Sequence, residues 1–452
     1  MRATTNSESL PEEVLLEIVK LVATESQQTM RNLSLCNRQL HRLTTPELYR
    51  NVRLAEMPDI GLFFRSLCYQ HDLARYIHSV SITAYDYPIL PYREDFHVGS
   101  ELIESCSPLL FSDTSARFSE FLALTDAELT AALLSHDDEG LWLAFLALQL
   151  PCLREIKLVV NAPVLYLGDL FEFAVTNGTD LNLFRSLSTI EMSVGDEVEL
   201  LPFLRLPSLR TFKVARIVGG GAMDMSLVSQ LRSLDLRWAF EDVGDILALL
   251  GACRHLQTLR ILRRFGDDEG AEYAILGLLA NSCSDSLEEL DLLSWNVSTR
   301  PRRVEMARFV NLTRLKIPST MILTPPAGDT RSSDTHSGNG LLPLPKVREL
   351  TLYLMNKSGP LEHVWSAVLS FITNEMLAPM LTTLSLEWLN NQIDMEQERA
   401  ALRALAVAAR RRGLQLRLEA KSTLSFFPGR DYLVLDDDAE DEQSGIFQIR
   451  ME

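Results

Sequence analysis

The sequence predicts an α/β fold: a short N-terminal helical module followed by an irregular solenoid of parallel strands and helices. Three observations predict it. Apolar residues over positions 10–43 recur at helical spacing, a hexad of the form L-x-x-L-x-L recurs between residues 153 and 386, and helical patterns separate the hexads. The steps between hexads are 22 to 35 residues, which is typical of a stacked strand-and-helix solenoid.

The expected parts of the chain follow from changes in this pattern. We assign residues 1–54 to the helical module, 55–150 to a degenerate first repeat and an insertion, 151–420 to the solenoid, and 421–452 to an acidic tail. Inside the solenoid, residues 319–343 are polar and rich in Pro, Gly and Ser, so a disordered loop is expected there.

Composition limits the possible partners and locations. A chain of 452 residues that is 46% hydrophobic can bury a large core, and its net charge of −18 disfavours nucleic acid as a partner. The most apolar stretch, residues 141–150, is too short to cross a bilayer. We therefore expect a soluble protein of the cytoplasm or nucleus, without a membrane partner.

The first predicted helix opens at S-L-P-E-E. Ser9 and Glu12 fit a capping box there, and Pro11 lacks only an amide that would be unpaired at that place. Its wide apolar face consists of Val14, Leu15, Ile18, Val19 and Val22. A second helical pattern runs through Leu33, Cys36, Leu40 and Leu43, and we expect Pro46 to end it. Because so small a unit buries little surface, something else should cover it.

Nine hexads mark the expected strands. They begin at Leu153, Leu187, Leu209, Leu231, Leu256, Leu287, Leu312, Val347 and Leu381. A proline stands two residues before four of them, at Pro151, Pro207, Pro345 and Pro379, which predicts a turn in front of the strand. The helix of a repeat is indicated by patterns such as Val243, Ile246, Leu247 and Leu250. Earlier in the chain, V-R-L at 52–54 and I-H-S-V-S-I at 77–82 predict a degenerate first repeat.

No set of residues suits catalysis, a metal or a cofactor. The six cysteines are far apart and lack C-x-x-C spacing, and no G-x-S-x-G, H-E-x-x-H, phosphate-loop or kinase pattern occurs. We therefore expect a protein that is not an enzyme and that has no cofactor or metal.

Two parts of the chain resemble known families. The pieces L-P-E-E-V-L-L-E-I-V, L-S-L-C-N-R-Q-L-H-R-L and P-E-L-Y-R-N-V-R-L, between Leu10 and Leu54, resemble an F-box of the variety common in filamentous fungi. Residues 153–386 resemble leucine-rich repeats, although the asparagine that normally follows the strand stands in place only at Asn161. The turns of the other repeats must therefore be satisfied in another way.

The resemblance implies a function. In F-box proteins with such repeats, the helical module docks onto the small Skp adaptor of a cullin–RING (SCF-type) ubiquitin ligase, and the repeats hold a protein substrate. The residues that the resemblance places at the adaptor, shared in part with the core of the module, are Leu10, Pro11, Val14, Leu15, Ile18 and Leu35.

A different class of function also fits the sequence. The chain is then a leucine-rich-repeat interaction scaffold outside any ligase, and its N-terminal helices cap the solenoid. A cap would bury Leu10, Pro11 and Leu15 within its own chain, whereas a docking module would leave an apolar patch exposed.

Side chains alternate along a strand, so the residues between the leucines should lie on the opposite, concave face. The central position on that face reads Lys157, Glu191, Lys213, Asp235, Arg260, Asp291, Lys316, Thr351 and Ser385, and its first seven members alternate in charge. The charges either neutralise one another across neighbouring strands or recognise a substrate of mixed charge. In the second case Tyr353, Trp295 and Trp388 are candidate aromatic anchors, and an all-basic or all-acidic ligand is disfavoured.

Overall fold

The computed structural model describes most of the chain. The described residues are 10–54, 57–84, 112–134, 139–160, 165–181, 183–199, 201–218, 230–239, 243–263, 271–294, 306–319, 321, 343–354, 362–389 and 395–421. The chain forms two compact units, Met1–Val198 and Glu199–Glu452. The predicted loop at 319–343 and the acidic tail lie almost entirely outside the described residues, as do residues 85–111 of the predicted insertion.

The first unit contains four strands and eight α-helices among its described residues. The helices are α1 (Glu12–Glu25), α2 (Gln27–Ser34), α3 (Arg38–Arg50), α4 (Met57–Tyr69), α5 (Asp113–Phe121), α6 (Asp126–Leu134), α7 (Glu139–Leu148) and α8 (Leu165–Leu181). The strands are β1 (Asn51–Leu54), β2 (Ser79–Ala84), β3 (Glu155–Val160) and β4 (Thr189–Glu199). They pair in chain order and in parallel, and a 3-10 helix spans His71–Tyr76.

The second unit repeats the strand-and-helix pattern. Its strands are β5 (Thr211–Val218), β6 (Ser233–Ala239), β7 (Thr258–Arg263), β8 (Glu289–Ser294), β9 (Arg314–Pro318), β10 (Glu349–Leu354), β11 (Thr383–Leu389) and β12 (Gln415–Lys421). They also pair in chain order and in parallel. The α-helices are α9 (Leu201–Leu204), α10 (Val243–Ala252), α11 (Ala271–Ser282), α12 (Glu362–Thr373) and α13 (Met395–Arg412), and 3-10 helices span Met306–Arg308 and Glu375–Leu377.

The hexads are strands, as predicted. Each of the nine strands begins two residues after the first residue of its hexad, and the two segments of the degenerate first repeat become β1 and β2. The apolar hexad positions form the core, for example Leu234, Leu259 and Leu290, which are at most 1% exposed. The α/β class and its parallel strand order are therefore confirmed. β12 was missed, although the alternation L-Q-L-R-L after Gly413 was a signal for it.

A turn opens several strands where proline was expected to place one. The amide of Leu153 donates to the carbonyl of Leu150, and the equivalent bonds join Leu209 to Leu206 and Leu381 to Ala378, at 3.2 Å each. In each turn the proline occupies the second position, for which its fixed φ is suited.

Shared carbonyls of the preceding repeat pair the backbone at the start of most strands. Two successive amides at the start of a strand donate to one carbonyl of the preceding repeat, at 2.7–3.1 Å. The accepting carbonyls belong to His78, Arg154, Arg210, Arg232, Gln257, Glu288, Thr313 and Arg348. Since a carbonyl oxygen has two lone pairs, this arrangement pairs the backbone without any particular side chain, so the sequence can vary at this point.

Two predictions about the helical module were wrong. Pro11, rather than Ser9, occupies the N-cap of α1, and it offers no side-chain acceptor.

Pro46 lies inside α3 instead of ending the helical pattern. The break in the pattern falls earlier, where Asn37 caps α3 by accepting from the amide of Leu40 at 2.8 Å. The hydroxyl of Thr44 donates to the carbonyl of Leu40 at 2.7 Å. The helix nevertheless continues past Pro46 to Arg50, although a proline removes one backbone donor.

A capping box does occur elsewhere in the first unit. The carboxylate of Glu128 accepts from the amide of Thr125 at 2.9 Å, and the Thr125 hydroxyl accepts from the amide of Glu128 at 3.3 Å. This reciprocal pair begins α6. The hydrogen bond to Thr125 also holds the pKa of Glu128 below its ordinary value, because it favours the ionised carboxylate.

Candidate functional site

The core of the helical module is small. Val19, Met30 and Leu43, one from each of α1, α2 and α3, are buried, and Leu15, Val22, Ala23, Leu33 and Leu48 pack against them. An ion pair of 2.6 Å joins Glu12 to Arg42 on the outside of the module. One side of α1 therefore packs into the module's own core.

The other side of α1 leaves large apolar residues exposed. Leu10, Val14, Ile18 and Leu21 are 52, 44, 38 and 67% exposed, and Leu35, between α2 and α3, is 82% exposed. The spacing of four and three residues places Val14, Ile18 and Leu21 on one face of α1, and Leu10 precedes the helix. We call these five residues the apolar stripe. Single exposed leucines are ordinary, whereas a series on one helical face is typical of an interaction surface.

The predicted adaptor residues divide between the stripe and the core. Leu10, Val14, Ile18 and Leu35 belong to the apolar stripe, and Pro11 is exposed beside it. Leu15 is half-buried against the core of the module. Leu21 was not among the predicted residues, although it continues the helical spacing from Ile18.

The second candidate surface is the strand face that carries the predicted row of alternating charges, which we call the ladder. In the first unit, Lys157 and Glu191 are register partners on β3 and β4, and their side chains form an ion pair of 2.9 Å. In the second unit, the register aligns Lys213, Asp235, Arg260, Asp291, Lys316, Thr351 and Ser385 in one row across β5 to β11. The predicted side-by-side placement of opposite charges is therefore confirmed within each unit.

The position two residues further along the strand adds charges that the sequence reading missed. Arg237 of β6 donates to both carboxylate oxygens of Asp235, at 3.2 and 3.0 Å. Glu387 of β11 lies 3.8 Å from the ammonium of Lys316. The strand alternation contained the signal, because positions 237 and 387 must share a face with 235 and 385.

The charged side chains of the second unit's ladder lie at different depths. The cations Arg237, Arg260 and Lys316 are 36, 36 and 41% exposed. The carboxylates Asp235, Asp291 and Glu387 are 11, 16 and 3% exposed. The three carboxylates are therefore largely withdrawn from solvent, while the cations reach it.

Tyr353 is a buried part of this network rather than an exposed anchor. Its side chain is 1% exposed, and its hydroxyl donates to Oδ1 of Asp291 at 2.8 Å. Of the other two proposed anchors, Trp295 lies outside the described residues, and only the place of Trp388 in β11 is described. Burial raises the pKa of the Tyr353 phenol, and the carboxylate of Asp291 acts in the same direction.

Asp291 stands at the centre of the network. Burial raises the pKa of its carboxyl, while Arg260, Lys316 and the hydrogen bond from Tyr353 oppose that change. The rise means that loss of solvent around Asp291 outweighs the attraction of the neighbouring cations.

Neither surface has the chemistry of a metal or redox centre. Across the described ranges, no group of three or more His, Cys, Asp and Glu residues could hold a metal ion. Cys253 and Cys283 are buried free thiols, and burial raises the pKa of Cys253 to about 12, so its reactive thiolate is scarce. In the part of the chain that the structure describes, no helix has the length and apolar character needed to span a bilayer.

The fold defines a class: an α/β protein built of parallel strand-and-helix repeats and preceded by three short helices. Comparison with known proteins does not narrow that class. No family model matches the chain, and no curated protein matches it at a significant level.

Proposed function

We propose that the chain is the non-catalytic substrate receptor of a cullin–RING ubiquitin ligase. Its helical module docks on the Skp adaptor, and its repeats bind a protein substrate. The observation that carries the proposal is the apolar stripe, since a module that merely capped the repeats would bury Leu10 and Pro11 within its own chain. The resemblance to an F-box supplies the identity of the partner.

The energetics of the stripe support a docking role. Covering an apolar side chain contributes about 1.5–3 kcal/mol when its burial is complete, so several such residues can supply the affinity of a specific complex. Exposed leucines are also a solubility cost in an uncomplexed protein. A partner that covers the stripe offsets that cost.

The proposed mechanism is proximity. The receptor brings a lysine of the substrate close to a ubiquitin-charged enzyme and so raises the effective concentration of the two reactants. No residue of the receptor then has to react.

Binding of the purified adaptor to the full-length chain tests the proposal. We expect Val14→Asp/Ile18→Asp to weaken adaptor binding at least tenfold, because two charges would be buried at the interface. Leu10→Ala/Pro11→Ala should weaken it as well. The matched control is Met376→Asp/Val407→Asp, which changes two apolar residues that are also exposed, at 84 and 47%, but lie in the second unit.

Circular dichroism must first establish that every variant is folded. Loss of binding in the stripe variants with an unchanged control supports docking through the helical module. An intact chain that does not bind the adaptor would overturn the ligase proposal and leave the repeats as an interaction scaffold.

A further inference from the structure

The exposed side of α13 is basic. From residue 399 to residue 412 the helix contains five arginines and no Asp or Glu. The fully exposed residues of this stretch are Arg399, Ala400, Arg403, Ala404, Val407, Arg410 and Arg411. We call the four arginines of this set the arginine face. Every charge on the exposed side of this stretch is therefore positive, in a chain whose net charge is −18.

The neighbouring charges do not neutralise the arginine face. Arg412 is turned towards α12, where it donates to two backbone carbonyls near the end of that helix, at 3.3 and 3.0 Å. Glu398, the described acid nearest to the stretch, also faces α12, because its carboxylate accepts from the indole N–H of Trp365. Arg403 and Arg410 form no ion pair within the part of the chain that the structure describes.

The helix dipole accounts for only part of the arginine face. Arg410 and Arg411 lie in the last turn of α13, where the partial negative charge of the helix end stabilises cations. Arg399 and Arg403 lie well before that turn, and the effect of the dipole falls off within it. Arg399, Arg403 and Arg410 are four and seven residues apart, so they form one stripe along the helix. Such a stripe suits an anionic ligand that lies along the helix.

We propose that the arginine face binds an acidic segment of the same chain, D-D-D-A-E-D-E at residues 436–442. These residues lie outside the described part of the chain, and six of the seven are acidic. The stripe from Arg399 to Arg410 is about 16 Å long at the rise of an α-helix. Seven extended residues span about 23 Å, so the segment is long enough to contact every arginine of the face.

The connection between the two parts is also long enough. Residues 422–435 join Lys421, the last residue of β12, to Asp436. This connection can span about 50 Å, whereas α13 is about 27 Å long. β12 follows α13 after a short turn at Gly413 and packs beside it. A short flexible connection gives an effective concentration in the millimolar range, so exposed ion pairs that are weak one by one can hold the segment.

The chain's own segment is a better occupant than a separate polyanion. The net charge of −18 repels nucleic acid and anionic surfaces at long range, whereas a covalently attached segment is never diluted away. Bound in this way, the segment covers the last helix of the repeats and keeps its arginines from other anions. This proposal does not depend on the proposed ligase function.

Competition by the same sequence supplied as a separate peptide tests the proposal. The probe is a fluorescent peptide of residues 433–443, and the receptor is the full-length chain in which the six acids of 436–442 are changed to Asn or Gln. We expect fluorescence anisotropy to show binding to this neutralised chain. Binding to the unmodified chain should be at least about tenfold weaker, because its own segment competes.

Two double variants of the neutralised chain separate the arginine face from general charge. Arg403→Gln/Arg410→Gln should weaken peptide binding at least about tenfold, because two cations of the stripe are lost. The matched control is Arg254→Gln/Arg348→Gln, which removes two arginines that are also exposed in the second unit, and it should change the affinity less than twofold. Circular dichroism must first show that each variant is folded.

Three results would overturn the proposal: no binding of the peptide to the neutralised chain, equal affinity of the neutralised and unmodified chains, or equal losses in the two double variants. Equal affinity would mean that the arginine face is open to an acidic segment of another protein. Because the apolar stripe is unchanged and the adaptor is absent from this assay, its outcome is independent of adaptor docking.

Discussion

The helical module and the ladder face of the second unit depart from ordinary burial in opposite directions. The module exposes leucine, valine and isoleucine on one face of α1, while the ladder buries carboxylates and a tyrosine hydroxyl on a strand face. Globular proteins normally do the reverse. Each departure costs free energy in the isolated chain, so each points to something that the surface binds or to an internal network that stabilises it.

The two faces of α1 provide the largest contrast, because the same residue type occurs on both. We expect Val19→Ala to lower the free energy of unfolding of the module by about 2 kcal/mol, since Val19 is 1% exposed and its loss leaves a cavity. Val14→Ala should cost less than about 0.5 kcal/mol, since Val14 is exposed. Urea denaturation, with hydrogen exchange of the module's amides as the readout, measures both changes in the free energy of unfolding.

The effects of the two substitutions on adaptor binding should have the opposite order, with the larger effect for Val14→Ala. Val14→Ala should weaken the complex while the free protein keeps its stability. If Val14→Ala instead destabilises the free module as much as Val19→Ala does, the stripe belongs to the internal core and the docking proposal loses its main support.

The hydrogen bond between Tyr353 and Asp291 should have the next largest effect. Tyr353→Phe keeps the buried ring but leaves the carboxylate without its neutral donor, which should cost about 1–3 kcal/mol. Chemical denaturation at neutral pH measures the loss. The control is Tyr69→Phe, because Tyr69 is exposed and its hydroxyl should contribute little. Equal stability of Tyr353→Phe and the unmodified chain would mean that Asp291 is already paired sufficiently by Arg260 and Lys316.

Much of the fold could be predicted because it depends on local patterns. The hexads predicted nine strands and their register, since a leucine at every second position must face the core. Pro46 misled because a proline removes one backbone donor but does not always end a helix, and α3 continues past it to Arg50. The burial of Tyr353 depends on contact with Asp291, 62 residues away in sequence, which no local pattern contains.

The candidate surfaces were predictable to different degrees. Helical spacing placed Val14, Leu15, Ile18, Val19 and Val22 on one wide apolar face of α1. The division of that face into exposed residues and core residues required the positions of α2 and α3. The ladder's membership followed from alternation. The exposure of its side chains did not follow from alternation, because exposure depends on side-chain length and on the neighbouring rows as well as on register.

The pH dependence of stability should report the buried state of Asp291. Because its folded pKa is raised above the ordinary value of about 3.9, the folded chain keeps a proton that the unfolded chain has lost over the interval between the two values. The contribution of this group is therefore fully present below the ordinary pKa and is lost as pH rises through the raised one.

Asp291→Asn removes that titration and still offers an oxygen to Tyr353. Relative to the unmodified chain, the variant should gain melting temperature as pH rises from about 4, as measured by thermal scans at a series of pH values. A difference in melting temperature that stays constant across that range would show that Asp291 titrates normally in the folded protein.

The ion pair between Glu12 and Arg42 should have the smallest effect, and it sharpens the contrast between exposed and buried charge. Both side chains are well exposed, at 47 and 66%, so water and salt screen their attraction. Arg42→Gln should lower the free energy of unfolding by less than about 1 kcal/mol, and the difference should shrink at high salt in urea titrations. A larger, salt-independent loss would mean that this pair fixes the start of α1. The exposure of Leu10 and Pro11 would then depend on one contact, whereas the buried charges of the ladder are held by several.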